Sequence, residues 1–416
     1  MIVRKIKEEE LKRTSELFSI AFEFPDHNWE KSPEEVARQC RENPDSPIQK
    51  YALKKWAAFE DDDKTMMAFI GGTPYDVEFD GHTVKMSGVG GVSSMGQYRR
   101  QGAIRGCFQQ YLRDLYDTGF VFSTLYPFSA SYYRQYGYER GEDLTGYRIP
   151  VSAIPKFDVG GHVRLVEQGE GLADAMKVFD AFRQGLNMAS SRTELDYSWI
   201  TRANPAKDCV YTYIYYNEGG EPKGVMTFTK ASIGDAPDGA THYQISCQRF
   251  YFVDMEGLKG LLRHCKAFEM YYDFVSFLLP QHMRIEDLIP ERSFRQPLSL
   301  RRNMNGMVRA VNVQRALELA RYRGSGEFTV RVHDGMLPEN DKCFHIRFQE
   351  GRALSVETTE SAAPDAELGI NDFSRFLLGT HRPEEMGYVE AARFNAPTEK
   401  IGQVFYKKPI FITENF

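Results

Sequence analysis

The chain has 416 residues, with 52 Lys and Arg against 58 Asp and Glu, which gives a formal net charge of −6. Hydrophobic residues make up 42% of it, an ordinary share for a folded protein, so wholesale disorder is excluded. An acidic chain without a long Lys/Arg block lacks the charge that nucleic-acid binding needs, and it favours a cationic partner. At roughly 150 residues per domain, we expect two or three domains.

The sequence predicts neither a membrane partner nor a metal site. Its longest apolar run, Met66–Ile70, is far shorter than the roughly 20 residues that a membrane-spanning helix needs. The N-terminus is charged where a secretory signal would be apolar, which favours a cytoplasmic protein. The six cysteines are scattered without a CxxC pair or metal-ligand spacing, so we expect buried free thiols and no bound metal.

Hydrophobic periodicity over the first 150 residues predicts an α+β domain. Acidic residues in the first turn of the first helix and a glycine after the last short one mark helix ends. The predicted elements, in chain order, are a strand over Ile2–Ile6, a helix over Glu8–Phe22, strands over Met66–Phe69, Tyr75–Phe79 and Thr83–Ser94, a helix over Ile104–Leu115, a strand over Phe120–Tyr126 and a short helix over Ser129–Tyr136.

From about residue 160 the same order of elements returns, which indicates an internal duplication. Where the first copy reads Arg99-Arg100-Gln101-Gly102 after its long strand, the second reads Asp254-Met255-Glu256-Gly257, whose two acids would repel a diphosphate. The second copy is therefore predicted to be structural. The last ~120 residues follow a different pattern, and the apolar segment Ile410–Phe416 predicts a terminal strand.

The strongest chemical signal is the run from Arg99 to Arg105, which stands between a predicted strand and an amphipathic helix. Gly102 lets the backbone approach a ligand closely, N–H groups converge at a helix N-terminus, and the arginines add positive charge. The alternative is a solvated basic helix start. The following strand arrives at the right interval for a nucleotide-binding unit, which favours a diphosphate site.

This loop resembles the R/Q-x-x-G-x-G/A segment of the GCN5-related N-acetyltransferases (GNAT), with Ile104 in place of the last Gly or Ala. The segment Tyr132–Glu139 resembles the Y-x-x-F/Y-G-Y/F sequence after the fifth strand in that superfamily. With its duplicated middle and distinct tail, the whole chain resembles the Eis (enhanced intracellular survival) type. The resemblance implies an α+β fold with a catalytic GNAT domain at 1–150, a cryptic GNAT-like domain at 151–292 and a sterol-carrier-protein-like domain at 293–416.

The resemblance also implies acetyl-CoA as the acetyl donor. Strand residues would pair with the pantetheine, the loop would hold the diphosphate, and two further residues lie after the next strand. The residues so assigned are Val92, Ser93, Ser94, Arg99, Arg100, Gln101, Gly102, Ala103, Ile104, Arg105, Phe128 and Ser129.

Two catalytic groups follow from the same resemblance. Tyr133 matches the family's general acid, which protonates the departing thiolate, and a phenol with a pKa near ~10 suits a thiol near ~8.5. The neighbouring tyrosines, Tyr132 among them, are alternatives whose rings would otherwise serve for packing. The general base of the family is the C-terminal carboxylate, here that of Phe416. The residues alone would make a terminal Phe a packed chain end.

For the acceptor, Phe24, Asp26 and Trp29 are expected to attract and stack against a cationic amine, the alternative being a polar turn. Asn415 stands where the family often has an acid. The predicted activity is acetyl transfer to primary amines of an aminoglycoside-like polycation or of a lysine side chain, by a homo-oligomer that the resemblance makes a hexamer. The alternative is a lipid or peptide carrier with a non-catalytic acetyltransferase-like domain.

Overall fold

The computed structural model describes residues 1–42, 54–167, 170–191, 203–235, 241–290, 298–360, 363–386 and 392–414. The chain divides into two compact units. Unit 1 contains Met1–Glu142, Gly185–Ser190 and Asn305–Phe416, and unit 2 contains Asp143–Gln184 and Ser191–Met304. The three-domain division with boundaries after residues 150 and 292 stays a prediction.

The elements of the first 150 residues are β1 (Ile2–Lys5), α1 (Leu11–Phe22), α2 (Pro33–Glu42), β2 (Lys54–Phe59), β3 (Met66–Phe79), β4 (His82–Ser94), α3 (Ala103–Asp117), β5 (Phe122–Leu125), α4 (Ala130–Arg134) and β6 (Glu139–Pro150). Those that follow are β7 (His162–Leu165), α5 (Leu172–Phe182), α6 (Pro205–Asp208), β8 (Val210–Tyr216), β9 (Pro222–Asp235), β10 (Thr241–Phe252), α7 (Met255–Lys266) and β11 (Phe274–Pro280). The remainder are β12 (Ser299–Ala310), α8 (Val313–Leu319), β13 (Gly326–His333), β14 (Cys343–Gln349), β15 (Arg352–Thr359), β16 (Ala366–Gly369), α9 (Ile370–Leu377), β17 (Arg393–Phe394) and α10 (Thr398–Val404).

The N-terminal sheet of unit 1 has the strand order β1-β2-β3-β4-β5, followed by β12 and β6. Neighbouring strands from β1 to β4 are antiparallel, whereas β4 and β5 are parallel. Alternating residues of β3 face opposite sides of the sheet. Ala68 packs with Phe108 and Leu112 of α3, and Phe69 packs with Leu17 of α1, so the two helices cover opposite faces.

Strand β3 differs from its prediction. The sequence predicts two strands, over Met66–Phe69 and Tyr75–Phe79, because Gly71, Gly72 and Pro74 interrupt the apolar pattern. The structure has one continuous strand, since Gly72 and Pro74 both remain in register with β4. Pairing with a long neighbouring strand overrides the local turn signal.

Unit 2 has the strand order β6-β11-β10-β9-β8-β7, with β10 and β11 parallel and the other neighbours antiparallel. One parallel pair within an otherwise antiparallel sheet is also the pattern of the N-terminal sheet, which is the duplication that the element order predicts. The core of unit 2 forms between this sheet and α7, whose buried residues include Leu258, Leu261 and Leu262.

The C-terminal part of unit 1 contains a five-stranded sheet in the order β15-β14-β13-β16-β17. Helices α8, α9 and α10 supply residues to its core, and the rings of Phe328, Phe376, Phe394 and Phe405 lie 5.6–6.3 Å apart there. The chain end is packed as predicted, since Ile410–Ile412 is buried. The predicted terminal strand is wrong for the described residues, where an isolated bridge from Ile410 to Asn187 replaces it.

The described ranges contain no helix that combines the length and the apolarity needed to cross a bilayer. In the same part of the chain, no three His, Cys, Asp or Glu side chains come close enough to share a metal ion. The expected burial of the cysteines holds for Cys107, Cys265 and Cys343 and is wrong for Cys209, which is exposed.

A fully buried ion pair fastens β12 inside unit 1. The Arg309 guanidinium donates to both carboxylate oxygens of Asp334 at 2.7 and 2.8 Å and to the Tyr136 carbonyl at 2.7 Å. Burial alone would raise the pKa of Asp334, but the charge and hydrogen bonds of Arg309 lower it below its usual value, so the carboxylate stays ionised. Gly137, which follows Tyr136, has φ +87°, and a Cβ at this position would lie 1.5 Å from the Arg309 guanidinium.

Replacing Arg309 by Met is expected to lower the free energy of unfolding by about 3–5 kcal/mol, because the Asp334 carboxylate is left buried without its counter-charge. Urea denaturation followed by circular dichroism measures the loss. The double variant Arg309→Met/Asp334→Asn, which buries no charge, should recover a large part of it. A loss below about 1 kcal/mol for the single variant would contradict this account.

Candidate active site

A cavity of unit 1 begins where β4 parts from β5. The two strands pair in parallel only from Met86 opposite Phe122 to Val89 opposite Leu125. Strand β4 continues to Ser94, and beyond Val89 no described strand pairs with the edge that faces β5. Backbone groups along this edge are therefore available to a ligand.

Strand β4 has a β-bulge next to the point where it separates from β5. Between Gly90 and Ser93, this strand has one residue more than β3 has between their partners Gly71 and Phe69, which is a β-bulge. Gly91 lies inside the bulge with φ +63°, a conformation that favours glycine. A bulge bends the strand that carries it and changes the direction of the residues that follow. The pairing with β5 ends directly before this bulge, at Val89 opposite Leu125.

The space between the separated strands is a cavity of about 720 Å³. Residues from β4, from the following loop, from α3 and from the segment after β5 line it. Those among them that were predicted to bind acetyl-CoA are Val92, Ser93, Ser94, Arg99, Arg100, Gly102, Ala103, Ile104, Arg105 and Phe128. The fold therefore brings most of the residues that were predicted to bind acetyl-CoA to one cavity.

One end of this cavity is the loop between β4 and α3. Arg100 and Gly102 have φ +64° and +83°, so the backbone takes the left-handed conformation twice within three residues. Gly102 is the N-cap of α3 and has no side chain to accept hydrogen bonds, so no described side chain caps the first N–H groups of the helix. Uncapped N–H groups at a helix N-terminus, with arginines beside them, attract an anion such as a diphosphate.

Two predicted cofactor residues lie outside the lining of this cavity. The Gln101 side-chain amide donates to the Gln97 carbonyl at 2.9 Å, which holds the loop. The Ser129 hydroxyl accepts a hydrogen bond from the Tyr132 N–H at 3.4 Å, which caps α4. Both contacts are local and organise the segments that carry the lining residues.

Tyr133, the predicted general acid, is buried in α4. Its ring contacts Phe128 and Tyr132, with centroids 5.5 and 5.2 Å away, and these two residues line the cavity while Tyr133 itself is outside the lining. Burial raises the pKa of Tyr133 well above its usual value, with a smaller contribution from Tyr132. The phenol is therefore protonated at neutral pH, as a proton donor must be.

Residues far away in the sequence hold the segment that carries Tyr133. The Asn371 side-chain amide donates to the carbonyls of Arg134 and Tyr138 at 3.0 and 2.9 Å, and Arg309 donates to that of Tyr136. Sequence reasoning missed both residues, because neither belongs to a local motif and each acts over more than 170 positions. The C-terminal part of unit 1 thus fixes the backbone of the segment from Arg134 to Tyr138, which directly follows Tyr133.

The C-terminal segment is fastened near the end of β5. The Tyr126 hydroxyl donates to the Glu414 carbonyl at 2.7 Å, and the Thr413 hydroxyl accepts from the Ser190 N–H at 3.0 Å. Tyr126 is the first residue after β5 and Phe128 of the cavity follows two positions later. Phe416, the predicted general base, lies outside the described residues.

The predicted acceptor residues come together at a separate pocket of about 310 Å³ beside α1. Phe24, Asp26 and Trp29 line it with Glu16 and Glu23, so its wall is acidic and aromatic. The Asp26 carboxylate also accepts hydrogen bonds from the Ser15 hydroxyl at 2.7 Å and from the Asn28 N–H at 3.0 Å. Asp26 therefore shapes the turn as well as adding charge to the pocket.

The second copy differs from the first at the corresponding strands and helix. Strands β10 and β11 pair in parallel only up to Ser246 opposite Ser276, and beyond them the rings of Phe250 and Phe277 stack with centroids 4.0 Å apart. The N-terminus of α7 is capped by the Asp254 carboxylate, which accepts from the Gly257 N–H at 3.0 Å. The second copy thus has stacked aromatic rings beyond its paired strands and a helix N-terminus capped by its own carboxylate, unlike the first copy.

Comparison with known proteins gives two family matches and a set of similar structures. Residues 2–141 match the model of the acetyltransferase (GNAT) domain, and residues 313–411 match that of the sterol carrier protein domain. No curated protein matches the chain.

Three of the similar structures each align with 100% of this chain. A probable N-acyltransferase from Enterococcus faecalis has 22% identity, with a TM-score of 0.79 and 99% of its own length covered. A GCN5-related N-acetyltransferase from Anabaena variabilis has 17% identity, with a TM-score of 0.79 and 100% coverage. Eis1 from Mycobacterium abscessus has 16% identity, with a TM-score of 0.78 and 100% coverage.

These matches confirm the predicted fold, with an acetyltransferase domain at the N-terminus, a second acetyltransferase-like part in the middle and a sterol-carrier-protein-like domain at the end. Domains of the GNAT type use acetyl-CoA. The protein therefore carries an N-acetyltransferase domain of the GCN5-related type in residues 2–141.

Proposed function

We propose that the protein is an Eis-type enzyme that transfers acetyl from acetyl-CoA to a primary amine, either of an aminoglycoside-like polycation or of a lysine side chain. The observation that carries the proposal is the 720 Å³ cavity, which runs from the free edge of β4 to the arginine-rich N-terminus of α3. Exposed strand edges suit the amides of a pantetheine, and the helix terminus suits a diphosphate.

In the proposed reaction the neutral amine attacks the thioester carbon. A C–N bond forms, the C–S bond breaks, the Phe416 carboxylate takes the proton that the amine loses, and Tyr133 protonates the departing thiolate. The contacts of Tyr133 with Phe128 and Tyr132 of the cavity wall support its part in this scheme, and the anchoring of Glu414 beside β5 supports a role for the chain end. The acids Glu16, Glu23 and Asp26 support a cationic acceptor.

The match of residues 313–411 to the sterol carrier protein domain is the observation that supports the carrier alternative. Release of CoA from acetyl-CoA, measured with kanamycin and with a lysine-bearing peptide, tests the enzymatic proposal. Turnover with either amine is expected. Tight lipid binding without turnover of any amine would favour the carrier. We also propose that the chain forms a hexamer, and analytical ultracentrifugation measures its oligomeric state.

Replacing Arg100 by Ala is expected to raise the Kd for CoA about tenfold, because a charge-assisted hydrogen bond to the diphosphate is lost. Binding of pantetheine, which lacks that diphosphate, should not change. Isothermal titration of both ligands makes the comparison, with Arg38→Ala on α2 as the matched control. An equal loss for both ligands, or none for either, would show that the loop does not bind the diphosphate.

Replacing Tyr133 by Phe is expected to lower kcat about 100-fold, the usual size of a lost general acid, and to leave acetyl-CoA affinity unchanged. Because burial raises the pKa of Tyr133, wild-type kcat should not fall through loss of this proton between about pH 7 and 9. Tyr132→Phe and Tyr136→Phe are the controls. If the loss occurs in Tyr132→Phe instead, Tyr132 is the acid.

One glycine added after Phe416 displaces the proposed base by about 3.5 Å, so we expect kcat to fall about 100-fold. A glycine inserted between Gly219 and Gly220, in the exposed turn between β8 and β9, adds the same residue without moving the chain end. Steady-state kinetics compare the two variants. Unchanged kcat in the extended chain would remove the terminal carboxylate from the mechanism.

A further inference from the structure

A second cavity of unit 1, of about 320 Å³, lies between the helices α1 and α2 and the strands β2, β3 and β4. Phe18 and Phe69 form part of its apolar wall. Gly90 and Gly91 of β4 also line it, and the next residue, Val92, lines the larger cavity. The two cavities therefore meet consecutive residues of one strand.

The second cavity contains a lysine that has no acidic partner among the described residues. Lys54 and Lys55 point to opposite faces of the sheet, as neighbours in a strand do. The Lys54 ammonium binds the Asp114 carboxylate of α3 at 3.2 Å, whereas Lys55 lines the cavity on the other face. Within the described ranges, the Lys55 ammonium has no hydrogen bond and no ion pair.

Burial lowers the pKa of Lys55, since desolvation disfavours the charged form, and the nearby Cys40 opposes this only in part. A partly buried ammonium without a counter-charge among the described residues is unfavourable, and an anionic group brought into the cavity would stabilise it. Polar groups of Thr14, Ser15 and Asn28 in the same wall add hydrogen-bonding capacity. The cavity thus combines one positive charge with apolar and neutral polar surfaces.

The position of the cavity relates it to the reaction, and this step rests on the proposed function. A diphosphate at the Arg99–Gly102 loop would leave the pantetheine to run back along β4, from Ser94 to Val92. The thioester end would then point toward Gly90 and Gly91. An acceptor in the second cavity would therefore meet the acetyl group from the side opposite to the diphosphate.

We infer that this second cavity binds the acceptor, and that Lys55 holds a carboxylate at the end of the acceptor remote from the reacting amine. The acceptor class is a primary amine that also carries a carboxylate, such as a free amino acid or an ω-amino acid. Lys55 disfavours an acceptor with positive charges only, so of the two acceptor classes proposed above it favours the lysine type. The Asp26 carboxylate lines the neighbouring acidic pocket and accepts hydrogen bonds from Ser15 and Asn28, which belong to the wall of the second cavity.

Three amines of similar length and different charge test the inference: 6-aminohexanoate, hexylamine and cadaverine. We expect the wild-type kcat/KM to be about tenfold higher for 6-aminohexanoate than for the other two, the size of a charge-assisted contact. Lys55→Gln should remove that preference, so that its kcat/KM is similar for 6-aminohexanoate and hexylamine, and Lys55→Arg should retain it. Lys64→Gln, at an exposed position in the turn between β2 and β3, is the matched control and should behave as wild type.

The outcomes separate the inference from the proposed function. Equal rates for the three amines in the wild type, or a preference that persists in Lys55→Gln, would overturn the carboxylate subsite and leave the acetyltransferase intact. Acetylation of kanamycin alone would also overturn the subsite. Failure to acetylate any amine would overturn the proposed function itself. Thermal unfolding of each variant verifies that the Lys55 substitutions leave the protein folded.

Discussion

The site depends on one constraint, the early end of pairing between β4 and β5. Two parallel strands that stayed together would satisfy each other's backbone groups and leave no cavity. Here the pairing ends at Val89, beside the bulge at Gly91, and the free edge of β4, the loop that follows and the N-terminus of α3 line one space. The arginines add charge to a place that the backbone has already made suitable for an anion.

The same architecture has opposite outcomes in the two copies. In the first, glycine at the N-cap of α3 leaves backbone N–H groups for a ligand, and the space between the strands is open. In the second, Asp254 caps α7, and the rings of Phe250 and Phe277 stack beyond the paired residues of β10 and β11. The C-terminal part of unit 1 has another role, since Arg309 and Asn371 hold the backbone around Tyr133. Its interior side chains serve packing, while its polar side chains position the site.

Local patterns predict most helices and strands and single out the loop from Arg99 to Arg105, because periodicity, turn residues and helix ends lie in short segments. They do not predict α2 or β2. They fail where distant residues decide. Pairing with β4 keeps β3 continuous through Gly72 and Pro74, and packing holds Ile410 without a strand. Lys55 shows the limit for the site, because an alternating strand does not reveal which of two neighbouring lysines finds an acid. Such partners exist only after folding.

The central claim is that one copy, and only one, binds the nucleotide of the acetyl donor. Amide hydrogen exchange of the intact protein, with and without CoA, tests it most directly. CoA should slow exchange from Val92 to Arg105, where the free strand edge and the helix N-terminus lie, and leave exchange unchanged at Asp254–Gly257. Protection of the second loop, or no protection in the first, would contradict the account.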